Sequence, residues 1–165
     1  MATAGKNLSE YNKESIPNGA DFQVGIVVSE WNDEITLKLL EGAKSALLEN
    51  GVLEKHIHVH FVPGAFELPL GAQYLLNSSN FILDGVIAIG VVIQGETRHF
   101  DFVCSGTTQG IMDVMLKNDK PVSFCVLTDN FKQQSLDRAG GIHGNKGVEA
   151  AIACMKMIQM KKNLL

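Results

Sequence analysis

Several things this sequence lacks narrow what it can be. No apolar run approaches the roughly 20 residues that a bilayer span requires, so no membrane-spanning helix and no membrane partner are expected. The opening stretch, MATAGKNLSEYNKES, has no apolar signal core, and we expect a cytoplasmic protein. Positive charge is not in excess. The 14 Lys and Arg against 18 Asp and Glu leave a formal net charge of -4, which argues against a nucleic-acid partner. Cysteine is scarce and odd in number. Cys104, Cys125 and Cys154 sit in apolar segments and none is paired as CxxC, so they read as reduced, buried thiols rather than disulfides or zinc ligands. No internal repeat, low-complexity tract or second domain is visible.

What is present is an ordinary globular composition, 45% hydrophobic and 19% charged over 165 residues, enough for one domain with a real core. Residues 1–21 are polar, contain Pro17 and Gly19, and read as an arm; residues 22–165 read as a single domain. Within that domain apolar strands alternate with amphipathic helices. Strands are predicted over Phe22–Ser29, Ile57–Val62, Gly85–Ile93 and Val122–Leu127. Helices are predicted over Asp33–Asn50, Phe66–Leu76, Phe102–Lys117, Gln133–Arg138 and Gly147–Lys161. Near-continuous apolar strands separated by helices imply a parallel sheet covered on both faces. Right-handed crossovers then give an α/β, three-layer αβα sandwich with a flavodoxin-like sheet of four parallel strands.

Such sheets bind ligands beyond the carboxyl ends of their strands. The unusual segments fall there: Trp31-Asn32 after the first strand, Pro63–Glu67 after the second, Gly95–His99 after the third and Thr128–Asn130 after the fourth. The stretch GVVIQGETRHFDFV (90–103) is the most informative. A buried strand runs into a Gly-marked turn carrying Glu96, Thr97, Arg98 and His99. Backbone N–H groups and Thr97 suit an anion, and His99 suits proton transfer near neutral pH.

Each candidate has a plainer reading. Trp31, the sole tryptophan, either stacks on a planar heterocycle or caps the sheet edge. Glu67 either accepts ligand hydroxyls or complements a helix dipole. Arg138 is either a phosphate clamp or a C-terminal helix cation. His56, His58 and His60 alternate, which is a possible metal spacing, but we read them as the polar face of a strand with Ile57, Val59 and Phe61 inward. Gly140, Gly141, Gly144 and Gly147 suggest a flexible loop. It is not a Walker loop, because Lys146 is followed by Gly rather than Ser or Thr.

Five blocks together resemble one family. SEWND (29–33), VPGAFELP (62–69), GVVIQGETRHFDFV (90–103), PVSFCVLTDN (121–130) and DRAGGIHGNKGVEAA (137–151) are similar, in order and spacing, to the 6,7-dimethyl-8-ribityllumazine synthases. The resemblance runs from about Phe22 to the C-terminus. It implies a transferase of riboflavin biosynthesis that condenses 5-amino-6-(D-ribitylamino)uracil with 3,4-dihydroxy-2-butanone 4-phosphate, without a metal or organic cofactor. It also implies roles. Trp31 corresponds to the aromatic that stacks on the pyrimidine. Ala65, Phe66 and Glu67 correspond to the segment contacting the ring and ribityl chain, and Val91, Val92 and Ile93 to the strand end lining the pocket. Glu96 and Thr97 correspond to the phosphate-binding turn, and His99 to the general acid/base. Phe124, Arg138 and Lys146 correspond to residues supplied by a neighbouring subunit, with Arg138 on the phosphate.

The resemblance further implies a homo-oligomer, a pentamer that in some members closes into a 60-subunit icosahedral shell, with active sites between adjacent subunits. Leu8–Pro17 then becomes an assembly element that pairs with a neighbour's sheet. The short stretch from Arg138 to Asn145 goes with shells in the family. Three positions depart from the commonest family pattern: Gln94 in place of Arg, Asp129 in place of Thr, and Ile142 at a site that is basic in some relatives. Together they make the surroundings of the expected phosphate less positive: Gln94 and Ile142 lack a cation and Asp129 adds an anion. Two readings compete with the enzyme: a non-catalytic flavin- or lumazine-binding protein, and a structural compartment protein. His99 together with Arg138 favours the enzyme.

Overall fold

The computed structural model describes residues 7–165. Four strands, β1 (Val24–Ser29), β2 (Ile57–Val62), β3 (Gly85–Ile93) and β4 (Val122–Asp129), form one parallel sheet in the order β2-β1-β3-β4. The chain steps outward from β1 to β2, then returns past β1 to β3 and β4. Successive connections therefore diverge between β1 and β3, and this is the topological switch point where such sheets open a crevice.

Helix α1 (Asp33–Glu49) and α5 (Lys146–Leu164) cover one face. There Ile35, Leu39, Ala43, Ala46 and Leu47 meet Ala151, Cys154, Met155 and Ile158 over Val24, Ile26, Val28, Ile87 and Ile89. Helix α2 (Leu68–Leu76) and α3 (His99–Asn118) cover the other, with Leu68, Ala72, Leu75, Ile111 and Val114 over Val27, Val86, Ala88, Val122 and Val126. The alternation of β3 side chains between the two clusters is the period-two rule at work in a strand buried on both sides. A short helix, α4 (Lys132–Arg138), follows β4.

The expected α/β sandwich with four parallel strands is the observed architecture. Several boundaries move. Phe22 is buried but lies outside the ladder; β1 begins at Val24, where Gln23 and Asp84 have already exchanged hydrogen bonds. β4 runs on to Asp129, pairing Thr128 and Asp129 with Val92 and Ile93. Ala65–Glu67 form a separate 3-10 turn before α2. Helix α3 starts at His99, three residues before the predicted Phe102, so His99 belongs to its first turn.

The glycine-rich stretch after α4 is ordered rather than a flexible loop. Ala139–Gly141 (β5) and Gly144–Asn145 (β6) make a small antiparallel hairpin with Ile142 at its exposed tip. Positive φ at Gly140 and Gly144 suits glycine there. Residues 7–21 of the arm follow this hairpin and α1: Leu8 N donates to His143 O, Asn145 N donates to Ser9 Oγ, and Tyr11 and Ile16 pack on the core edge. Residues 1–6 of the expected arm lie outside the described residues.

The histidine face of β2 also differs from expectation. Ile57 and Val59 do turn to the core, but Phe61 is exposed. His58 is covered by Phe81, with ring centroids 4.2 Å apart, and its Nε2 lies 3.1 Å from Gln23 Oε1. β2 is an edge strand, so its final residues have no neighbour to pack on.

Candidate active site

A cavity of about 630 Å³ opens at the switch point, on the carboxyl edge of the sheet. Loops after β1 and β2, the end of β3 and the first turns of α3 enclose it.

Trp31 is placed by its backbone. Glu30 N donates to Val62 O and Trp31 N to Pro63 O, which ties the loop to the end of β2. Asn32 then takes a left-handed conformation (φ 63, ψ 45), which Asn tolerates better than most residues, and α1 begins. The indole is left 73% exposed over the cavity. Little packs on it, so the edge-capping reading has weak support from the single chain.

The opposite wall is the Ala65–Glu67 turn, with Phe66 and Glu67 exposed and Ala65 buried against the sheet. Val91, Val92 and Ile93 form the floor. His99, Phe102 and Val103 line the side through one face of α3. His99 is exposed, as an acid/base must be to meet a substrate. The turn before it is braced by Gln94 N donating to Asp129 O and by Gln94 Nε2 donating to Gly95 O. Arg98 points to Asp101 at 3.4 Å and lies over the Phe102 ring. The positive end of the 20-residue α3 thus meets the cavity mouth, where a phosphate is favoured.

Of the residues expected at a site, Trp31, Ala65, Phe66, Glu67, Val91, Val92, Ile93 and His99 come together around this cavity. Glu96 and Thr97 lie in the exposed turn beside it; Thr97 Oγ1 receives the His99 N–H at 3.4 Å. Phe124, Arg138 and Lys146 do not line it. Phe124 is an exposed side chain on the open edge strand β4. Arg138 closes α4, its Nη1 donating to Gln134 O. Lys146 pairs with Glu149 at 2.7 Å at the start of α5. Asn32, Gly64, Phe102 and Val103 line the cavity without having been assigned a role. The spacing of His99, Phe102 and Val103 (i, i+3, i+4) would have exposed the last two, had the helix been started at His99. Asp129, one of the departures, accepts a hydrogen bond from Ser135 Oγ at 2.7 Å and so braces α4.

Comparison with known proteins places this geometry. The family model for 6,7-dimethyl-8-ribityllumazine synthase matches residues 21–162. A 6,7-dimethyl-8-ribityllumazine synthase from Flavobacterium johnsoniae is 59% identical over 162 residues, covering 98% of this chain and 84% of that protein. One from Christiangramia forsetii is 57% identical, covering 99% of this chain and 96% of its own. A more distant one from Lactiplantibacillus plantarum is 44% identical over 148 residues. Matches of this extent cover every segment that builds the cavity, and the chain belongs to the 6,7-dimethyl-8-ribityllumazine synthase family.

Proposed function

We propose that this chain is the enzyme that condenses 5-amino-6-(D-ribitylamino)uracil with 3,4-dihydroxy-2-butanone 4-phosphate, releasing phosphate and water and forming 6,7-dimethyl-8-ribityllumazine. The observation that carries the reading is the convergence of an exposed indole, a phenyl ring, an apolar strand end and an accessible imidazole on one cavity at the switch point. The pyrimidine ring lies against Trp31 with Phe66 and Val91–Ile93 around it, and Glu67 accepts hydrogen bonds from the ribityl chain. The phosphate of the second substrate sits at the Glu96–Thr97 turn before α3.

The uracil amine attacks the ketone and an imine forms with loss of water. Phosphate is then eliminated from the adjacent carbon, and the enol left behind tautomerises to a ketone. The ribitylamino nitrogen attacks that ketone and closes the ring, with loss of a second water. His99 moves protons in these steps. Holding two reactants together supplies much of the rate, since a bimolecular encounter becomes intramolecular.

A single chain leaves Phe124, Arg138 and Lys146 away from this cavity. We therefore assign them to a neighbouring subunit's site, with Arg138 gripping the phosphate in bidentate fashion. The exposed side chains Leu70, Tyr74, Phe102, Met112 and Leu116 on α2 and α3 support subunit contacts on that face. The resemblance to the family supports a homopentamer, or a shell of sixty such subunits, with Leu8–Pro17 as an element of subunit contact. Chains of 17.9 kDa would then sediment as about 90 kDa or about 1 MDa particles. Free thiols, and no described helix long and apolar enough to cross a membrane, support a cytoplasmic setting.

The test is product absorbance and fluorescence on mixing protein with both substrates. Acceleration above background is expected. His99→Ala should slow turnover by about 100-fold or more with assembly intact, and Arg138→Ala should mainly raise KM for the butanone phosphate. Absence of acceleration together with tight riboflavin binding would make this a binding protein on the synthase scaffold.

A further inference from the structure

The wall that carries Phe66 is held by residues to which the proposed reaction gives no role. Ala65–Glu67 is a single 3-10 turn between β2 and α2, and a turn that short has little stiffness of its own. Its Ala65 carbonyl accepts two hydrogen bonds. One is from the Leu68 N–H within the turn. The other is from Thr107 Oγ1 of α3, at 3.1 Å. Thr107 is 0% exposed, two turns along α3 from His99 and one from Val103.

The turn also sits unusually close to its supports. A Cβ on Gly106 would lie 2.7 Å from Cε2 of the Phe66 ring, and one on Gly90 of β3 would lie 2.7 Å from Leu68 Cδ1 and 3.4 Å from Ala65 Cβ. The Phe66 ring therefore rests on bare α3 backbone at Gly106 while remaining 60% exposed on its other side. One helix thus presents His99 and Phe102 to the cavity from its first turn and, a turn or two later, fixes the opposite wall.

We propose that Thr107 and Gly106 are positioning residues for the pyrimidine substrate. Thr107 anchors the Ala65–Glu67 turn to α3 and Gly106 seats the Phe66 ring, so together they set the width of the ring slot relative to His99. The inference rests on the proposed synthase reading of the cavity. It separates the two substrates: the clamp touches the wall for the heterocycle and leaves the Glu96–Thr97 turn alone.

The experiment measures steady-state constants for both substrates in the intact assembly. It also measures binding of 6,7-dimethyl-8-ribityllumazine by quenching of Trp31 fluorescence. Thr107→Val keeps the branched shape and removes the hydroxyl. It should raise KM for the aminouracil and Kd for the lumazine about five-fold, the ratio that one net hydrogen bond represents. Thr107→Ser should restore both. Gly106→Ala should raise the same two constants, although alanine favours the helix and the thermal midpoint should not fall. KM for the butanone phosphate should stay within about two-fold for all three, since the phosphate contacts lie outside the clamp. Wild-type turnover with unchanged aminouracil KM and lumazine Kd in both Thr107→Val and Gly106→Ala overturns the clamp and leaves the synthase reading standing. So does a fall in kcat or thermal midpoint alone. A wild type that neither turns over nor binds the lumazine overturns the synthase reading, and this inference with it.

Discussion

Removing the indole at Trp31 separates its stacking role from its structural one. Trp31 is 73% exposed, so of an aromatic surface of up to about 250 Å² some 180 Å² is available to a ligand. A flat heterocycle covering one ring face would bury about a third of that, roughly 60 Å². At about 25 cal/mol per Å² this contributes about 1.5 kcal/mol. Offset stacking adds about 1 kcal/mol. Trp31→Ala should therefore weaken binding of the pyrimidine by about 2.5 kcal/mol, roughly 70-fold in Kd. Trp31→Phe, with a smaller face, should lose about five-fold. Folding stability should change by no more than about 0.5 kcal/mol, because almost nothing packs on the ring in the free chain. The assay is calorimetric titration with the aminouracil, alongside a thermal melt. A melt lowered by many degrees with unchanged affinity would refute the stacking argument and make Trp31 a cap on the sheet edge.

Three further outcomes are expected from the packing of this chain. Burial, then the neighbouring His60 and His56, lower the His58 pKa below its ordinary 6.5. The unfolded chain therefore takes up this proton first as pH falls, so the His58 contribution to stability is full above 6.5 and is lost on acidification below it. His58→Gln should flatten the fall of thermal midpoint expected on acidification below 6.5; an unchanged slope would refute this. Burial pushes the Cys125 and Cys154 thiols up to about 12. At pH 8 only about one in 10,000 of each is thiolate, so an aromatic disulfide reagent should label at most Cys104 until the protein is unfolded. Fast labelling of three thiols in the native state would contradict the packing of α5 and β4. Finally, a Cβ on Gly147 would overlap the Leu39 carbonyl oxygen where α5 begins beside α1. Gly147→Ala should cost about 1–3 kcal/mol, seen as a lower denaturant midpoint, and a neutral result would mean the helices part more easily than they pack.

The legible part of this molecule was the part governed by local periodicity. Ile57–Val62 and Gly85–Ile93 are strands over the predicted residues, because alternation in the first and a near-continuous apolar, largely β-branched run in the second leave no competing pattern. The buried stripe of α1 is the predicted one, Ile35 to Leu47. Boundaries failed where a side chain works against propensity. Arg98, His99 and Asp101 look like loop residues and shift the expected start of α3 to Phe102, yet the helix needs only backbone bonds to begin at His99. Four glycines signal flexibility and hide the hairpin at Ala139–Asn145 in the sequence, whereas in the fold two of them supply the positive φ that ordered turns require.

The sequence by itself determined the alternation of strands and helices, hence a parallel sheet, and its motifs carried the family. Those are properties of neighbouring residues and of their order. Only the tertiary structure decided which unusual loops share a cavity. Strand order sets that, and it brings the loops after β1 and β2 and the end of β3 together while leaving Phe124, Arg138 and Lys146 elsewhere. It alone disclosed that Thr107 reaches Ala65 across 42 positions of chain, a contact that no spacing rule encodes because it exists only once α3 has docked on the sheet.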